Sequence, residues 1–285
     1  MNTRKTMSKL RPPFKIHGGK FYLASWVLDN FPKNVEQYDY IEPFSGGASV
    51  LLNKTRPTHE GAKEVINDLD RGVTAIFKCL RDEPDVFIKK LKNTTYSERV
   101  FNRELKKLKE NQFENEFERA VTEFIVRRMS RGGMKAAFSW SERERGGQPG
   151  DVNAWETIIE QLPAISNRLQ NVFIFNKTAV KVIKAFNYEN ALVYCDPPYV
   201  PETRASKDVY EMEMSTDDHI ELATALNNFK GKVVLSGYPS TLYKRLYKDW
   251  KCIKKKVPNH SSQQKTKSIK VECLWINDIK ESKEV

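Results

Sequence analysis

Five short runs constrain the fold of this 285-residue chain more than any other feature: residues 38–43, 64–67, 172–175, 191–195 and 232–236. Each is rich in β-branched or aromatic residues, and several close on Asp, Asn, Ser or Gly, the pattern of buried parallel strands whose carboxyl ends carry polar loops. Helical periodicity fills the intervals. Val73, Ile76, Phe77 and Leu80 recur at helical spacing, as do Phe113, Phe117, Ala120, Val121, Phe124 and Ile125. Residues 219–229 predict another helix, with Ser215 or Thr216 as its cap and Asp217 and Asp218 in its first turn. Between Asn67 and Val172 lie about a hundred residues with helical character and no strand signal, after which the strand and helix rhythm resumes. The spacing therefore predicts an α/β sheet built from residues 1–70 and 171–285, interrupted by a mostly helical insertion over 71–170. Two further runs, 252–257 and 269–276, flank a polar stretch and predict a terminal antiparallel hairpin.

Charge points to the class of partner. Lys and Arg number 48 against 37 Asp and Glu, a net charge of +11, and the excess is clustered. Residues 244–270 carry ten cations against the single acid Asp249. Residues 127–150 carry Arg127, Arg128, Arg131, Lys135, Arg143 and Arg145, interleaved with Phe138 and Trp140. Cations with aromatics suit phosphate neutralisation and base stacking; a solvated basic face is the alternative. Cys79, Cys195, Cys252 and Cys273 form no CxxC pair, and the four histidines are scattered, so the pattern predicts reduced thiols and no metal site. No stretch approaches the roughly 20 apolar residues of a membrane span, and no signal peptide is evident, so a soluble, cytoplasmic protein is expected.

Directly after the run 191–195 stand Asp196, Pro197, Pro198 and Tyr199. Proline fixes its own φ and donates no N–H, so the Pro197 carbonyl can be held in a stiff turn beside the Asp196 carboxylate. The exocyclic amine of a nucleobase is a poor nucleophile because its lone pair is delocalised into the ring. Two acceptors, one for each N–H, favour the pyramidal nitrogen needed for attack, and a tyrosine can stack on an extruded base. The plainer alternative is a strand end followed by a proline turn.

Three other segments bear on a small-molecule ligand. The first strand runs into Pro43, Phe44, Ser45, Gly46 and Gly47, a glycine-rich turn that lets a ligand approach the backbone but lacks GxGxxG spacing and a Walker lysine. The second strand ends at Asn67 and Asp68, where an acid can accept hydrogen bonds from ribose hydroxyls; Asp70 is the rival for that role. Before the first strand, Gly18, Gly19 and Lys20 make a tight turn bearing a cation that could meet a carboxylate.

In this order, Gly18–Gly19–Lys20, residues 42–47, Asn67–Asp68, the helical insertion and residues 196–199, the chain resembles the Dam-like, alpha-group DNA N6-adenine methyltransferases. The resemblance implies a Rossmann-like methyltransferase sheet and S-adenosylmethionine as methyl donor. It places Lys20 and Gly19 near the donor's carboxylate, Phe44, Ser45, Gly46 and Gly47 around its amino acid part, Asp68 on its ribose, and Asp196 beside it. It also implies that Asp196, Pro197, Pro198 and Tyr199 hold a flipped adenine of double-stranded DNA, with direct methyl transfer and no catalytic cysteine. The insertion then corresponds to the target-recognition region, with Arg127, Arg128, Arg131, Lys135, Trp140, Arg143 and Arg145 as DNA contacts. Arg204 and Tyr210, in the segment after the catalytic turn, are expected to order over the flipped base. Methylation of cytosine N4 or of an RNA base uses the same chemistry, and a catalytically silent nucleic-acid-binding relative is the reading from a different class.

Overall fold

In the computed structural model, which describes residues 9–16, 18–200, 202, 213–258 and 269–277, all seven runs expected to be strands enter one sheet. The first half of the chain forms α1 (Ala24–Leu28), β1 (Asp39–Glu42), α2 (Ser49–Asn53), β2 (Glu64–Asn67), α3 (Arg71–Asp82), α4 (Pro84–Lys92), α5 (Glu98–Glu110) and α6 (Glu116–Met129). Then follow β3 (Glu144–Arg145), β4 (Gln148–Pro149), α7 (Gly150–Leu169), β5 (Val172–Phe175), α8 (Ala179–Ala185) and β6 (Ala191–Cys195). The last elements are α9 (Thr216–Asn227), β7 (Lys232–Gly237), α10 (Thr241–Leu246), β8 (Lys251–Pro258) and β9 (Ile269–Ile276). The sheet order is β5-β2-β1-β6-β7-β9-β8. β1 is parallel to β2 and β6, and β6 to β7. β9 runs antiparallel to both β7 and β8, which is the expected terminal hairpin. The chain leaves β1 toward β2 on one side and resumes at β6 on the other, so the topological switch lies between β1 and β6. Outside the carboxyl ends of strands at such a point, open α/β sheets form their ligand crevice.

The chain divides into two compact units, one comprising the chain up to Asp29, Gly46–Lys54 and Asp70–Ile174, the other Asn30–Ser45, Thr55–Leu69 and Phe175 onward. In the second, strand alternation sorts side chains onto two faces. Ile41, Val65, Val193, Cys195, Val233, Leu235, Cys273 and Trp275 form one apolar cluster with Val182 and Ile183 of α8, Leu222 and Leu226 of α9, and Leu242 of α10. The opposite face of the same strands carries Tyr40, Glu42, Tyr194, Ser236 and Glu272, all buried as well. There Tyr40 donates to Glu42 at 2.9 Å, and the rings of Tyr40 and Tyr194 each lie 6.0 Å from Phe31. The α9 start follows expectation. Ser215 Oγ accepts the Asp218 N–H at 3.2 Å while the Asp218 carboxylate accepts the Ser215 N–H at 2.8 Å, a reciprocal capping box.

The first unit is helical, as its periodicity predicts, with aromatic packing of Phe87, Phe124 and Trp155 at centroid separations of 5.7 and 5.8 Å. One expectation is corrected: the 67–172 interval contains strands, because β3 and β4 form a two-residue antiparallel hairpin. Its turn residues Gly146 and Gly147 have φ of 61° and 77°. A two-residue hairpin turn of this hand needs positive φ at both positions, and a Gly-Gly pair supplies it where alternation is too short to signal a strand. Asp70 caps α3, its Oδ1 accepting Gly72 N–H at 2.8 Å and Val73 N–H at 3.2 Å, while Oδ2 receives Arg127 at 2.5 Å. Glu123 accepts the same guanidinium at 3.0 Å and Lys135 Nζ at 3.2 Å.

Burial opposes ionisation of Asp70, but Arg127, Lys135 and the cap N–H groups outweigh it and hold the carboxyl below its ordinary value. An Asp70→Asn chain keeps a capping oxygen but puts an uncharged NH2 donor in place of the oxygen that accepts Arg127, and is expected to be about 3 kcal/mol less stable at neutral pH by urea unfolding. A group whose folded pKa is depressed contributes fully above the unfolded carboxyl value of about 3.9. The difference between the two chains should therefore close as pH falls through the lower folded value, and a pH-independent difference would show that the charge is not its source.

Candidate active site

The end of β6 delivers Asp196 next to the end of β7, where the registered pair Cys195 and Leu235 is followed by Ser236. Ser236 is buried, and its hydroxyl donates to Asp196 Oδ1 at 2.7 Å. A hydroxyl has one proton and two acceptor sites, so Tyr194 OH, 3.3 Å away, donates back to Ser236 Oγ. A relay from Tyr194 through Ser236 thus fixes the rotamer of the Asp196 carboxylate. Pro197 is buried and stiffens the turn. Tyr199 is half-buried, its ring stacked on Tyr238 with centroids 4.1 Å apart and planes 29° apart. Burial first, and then the adjacent Asp196, push the Cys195 thiol well above its usual range, so it stays protonated and inert as a nucleophile.

Asn67 assembles the neighbouring loops. Its buried amide donates to Pro43 O and Lys177 O, both at 2.9 Å, and its Oδ1 accepts Lys177 N–H at 2.9 Å. Its own carbonyl accepts Ser45 N–H at 2.9 Å. The ends of β1, β2 and β5 are thereby tied at one residue. Asn176 adds two bonds, to Asp68 O at 2.8 Å and Leu69 O at 2.9 Å, which fix the Asp68 backbone while leaving its side chain half-exposed. Asp70, the alternative to Asp68, has its carboxylate committed to the α3 cap and to Arg127.

The Phe44 to Gly47 turn fits a polar ligand. Ser45 Oγ is buried with no hydrogen-bond partner among the described residues, an orphan that a ligand's polar group would satisfy. A Cβ on Gly47 would stand 2.9 Å from Pro12 Cβ, so only glycine closes the turn there. Gly46 and Ala48 both adopt left-handed backbone. Lys20 is buried, and Gly19 N–H donates to Ile16 O at 3.3 Å.

The basic segment separates into two groups. Arg127 and Lys135, expected at a DNA face, are internal: the Arg127 side chain is 3% exposed and that of Lys135 10%, and both are neutralised by Asp70 and Glu123. Arg127 also lies over the Phe14 ring at 5.5 Å. These two are correction rather than confirmation, because buried paired cations cannot meet phosphate. Arg131, Arg143 and Arg145 are exposed, Arg145 in β3 and Arg143 directly before it, and Trp140 is 66% exposed. Arg128 donates to Ala154 O at 2.7 Å; burial, with Arg11 adding repulsion, lowers its guanidinium to about 10. Burial and Arg128 also lower the Lys15 ammonium below its ordinary value. Arg204 and Tyr210 lie outside the described residues.

A mostly parallel sheet of this order, with its polar loops at the carboxyl edge beside the switch point, is the methyltransferase form of the α/β fold. Over residues 17–261 the chain matches the D12 class N6 adenine-specific DNA methyltransferases, and it belongs to that family. It is 23% identical over 283 residues to a DNA adenine methylase of Haemophilus influenzae, covering 95% of this chain and 94% of that protein. It is 26% identical over 271 residues to the type II methyltransferase M1.LlaDCHI of Lactococcus lactis subsp. cremoris, covering 87% and 88%. A DNA adenine methylase of Vibrio cholerae is 24% identical over 251 residues, covering 85% and 86%. The protein is an adenine-specific DNA methyltransferase, and its family implies S-adenosylmethionine as the donor and DNA as the substrate. Among the described residues no group of His, Cys, Asp and Glu could hold a metal ion, and no helix is long and apolar enough to cross a membrane.

Ser236 holds the Asp196 carboxylate across the strand ends. A Ser236→Ala chain is expected to lose about tenfold in kcat, the value of one hydrogen bond to a charged group, with little change in KM for the donor. Steady-state kinetics on both substrates test this; an unchanged kcat would mean that Asp196 is oriented by other groups.

Proposed function

We propose that this enzyme flips one adenine out of a short specific sequence in duplex DNA and methylates its N6 at the Asp196 to Tyr199 turn. The observation that carries this reading is the Asp196 carboxylate held by Ser236 at a strand end beside the stacked ring of Tyr199. Asp196 and the Pro197 carbonyl accept hydrogen bonds from the two N6–H groups, which frees the nitrogen lone pair for attack; the carboxylate lies opposite the positive charge that N6 gains with the methyl group, and loss of one N6 proton through Asp196 to water leaves neutral N6-methyladenine. Tyr199 provides the face on which the base stacks. When bound, S-adenosylmethionine supplies a methyl carbon whose bond to sulfur breaks as the bond to N6 forms.

For that donor we assign Lys20 and Gly19 to its carboxylate end, Phe44, Ser45, Gly46 and Gly47 to its amino acid part, and Asp68 to its ribose, with Asp196 adjoining. The unpartnered Ser45 hydroxyl supports the assignment of the turn. For DNA we retain Arg131, Arg143 and Arg145, whose exposure and charge suit phosphates and base edges, and Trp140, whose exposed ring suits stacking, with Arg128, Arg204 and Tyr210 proposed from the sequence alone. The likeness to a type II methyltransferase supports a role beside a restriction system in a bacterial cytoplasm.

The test is transfer of a labelled methyl group to unmethylated duplex DNA, with nucleoside analysis of the product and mapping of the modified positions. Label is expected on N6-methyladenine within one short motif. Asp196→Ala is expected to lose about 10³-fold in transfer with DNA affinity kept. Label on cytosine or on RNA would replace the substrate, and transfer undiminished in Asp196→Ala would overturn the mechanism.

A further inference from the structure

Strand β9 reads Ile269, Lys270, Val271, Glu272, Cys273, Leu274, Trp275, Ile276, and its alternation leaves one charge buried. Cys273 and Trp275 belong to the helix-packed apolar cluster, with Val271 packed against it. Leu274 is registered with Ser236 of β7, so Glu272 and Lys270 share the face that carries Ser236. Glu272 is 1% exposed. A carboxylate desolvated to that degree needs specific partners, since burial alone costs several kcal/mol.

Tyr199 OH donates to the Glu272 carboxylate, 3.3 Å from Oε1 and 3.4 Å from Oε2. Lys270 Nζ lies 5.0 Å from the centroid of the Tyr238 ring, the one stacked on Tyr199. Two alternate residues of one strand therefore engage the two stacked rings, and Lys255 of β8 is the residue registered opposite Glu272. Pro197 and Pro198 stiffen the backbone leading to Tyr199, but they do not fix its ring, because the terminal torsion of tyrosine is broad. A hydroxyl anchored at the far end of the ring fixes where the ring lies, and Tyr238 stacked on its face limits rotation about the ring axis.

We propose that Glu272 is a positioning residue for methyl transfer: from β9 its buried carboxylate accepts the Tyr199 hydroxyl and holds in place, against Tyr238, the ring on which the target adenine stacks. The inference rests on the reading of Tyr199 as the base-stacking ring. Glu272 touches neither substrate in this scheme and acts only through Tyr199.

The experiment measures methyl transfer from S-adenosylmethionine to unmethylated duplex DNA by the full chain and by Tyr199→Phe, Glu272→Met and Tyr199→Phe/Glu272→Met. Tyr199→Phe keeps the stacking ring and removes only the donor, and it is expected to lower kcat about tenfold with KM for S-adenosylmethionine unchanged. Glu272→Met removes the acceptor at similar side-chain volume and should match that loss. The double variant should be no worse than either single one, because both remove the same bond. Glu272→Gln, which keeps an acceptor oxygen at the same reach, should recover most of the loss. Effects that multiply in the double variant, or a loss confined to donor KM, would assign Glu272 a role apart from Tyr199 and overturn the proposal. Tyr199→Phe at the wild-type rate would overturn it too, whether or not the Glu272 variants fold. If the unaltered chain transfers no methyl group to DNA, the base-stacking reading itself fails and this inference falls with it. Wild-type transfer with an unaffected Tyr199→Phe sinks the inference alone.

Discussion

Every residue of β1, β2 and β6 is buried, so each polar group where these strands end must find a partner inside the protein. Asn67 meets most of that demand in the sheet unit. Its side chain serves the carbonyl of Pro43 and both backbone groups of Lys177, and its own carbonyl serves Ser45. An aspartate there could accept from Lys177 but could not donate, and would leave two carbonyls facing a charge. The requirement for one donor and one acceptor at a single buried position explains why an asparagine sits there. Asn67 also ties the loop that carries Phe44 and Ser45 to the end of β2.

The second constraint is the division of the sheet into two faces. One is packed by helices and is largely apolar, with Asp39 and Asn67 on it only at the strand ends. The other carries tyrosines and carboxylates at the same depth of burial, and there hydrogen bonds replace hydrocarbon contacts. Burial drives the phenols of Tyr40 and Tyr194 far above their usual pKa, with nearby carboxylates adding to the effect. Both therefore remain donors across the accessible pH range. A donor that cannot ionise is what Ser236 needs behind it if its single proton is to go to Asp196. Reactive geometry at the strand end thus depends on residues two and more positions inside the strand.

Much of this was legible in the sequence. The strands were, because β-branched runs bounded by polar residues repeat at parallel-sheet spacing, and Ser215 was, because a cap followed by acids has a local signature. The turn at Asp196, Pro197, Pro198 and Tyr199 was legible because its residues are contiguous after a strand. What could not be read was pairing across the chain. Ser236 and Glu272 meet Asp196 and Tyr199 only after β7 and β9 take their places in the sheet, and a lone acid within an apolar run was the sole sign of Glu272. The β3–β4 hairpin was missed since two-residue strands have no period; only its Gly146–Gly147 pair hinted at the turn.

The basic insertion shows why a count of cations is a poor measure of a nucleic-acid surface. Arg127 and Lys135 were read with Arg131, Arg143 and Arg145 because all five lie within one stretch. Yet the first two face Asp70 and Glu123 in a buried set whose formal charge is zero: two cations and two carboxylates. Such a set releases no counterions on meeting DNA and contributes nothing to the salt dependence of binding. Its work is internal: it joins the start of α3 to the end of α6 and closes an ion cluster that would be costly to open. The exposed arginines are placed differently. Arg145 is borne by a hairpin whose Gly146–Gly147 turn gives it a defined backbone, and Arg143 stands directly before it, so the charge that can be offered to phosphate is presented on an ordered element. Net charge drew attention to this stretch, but burial decides which of its cations are available.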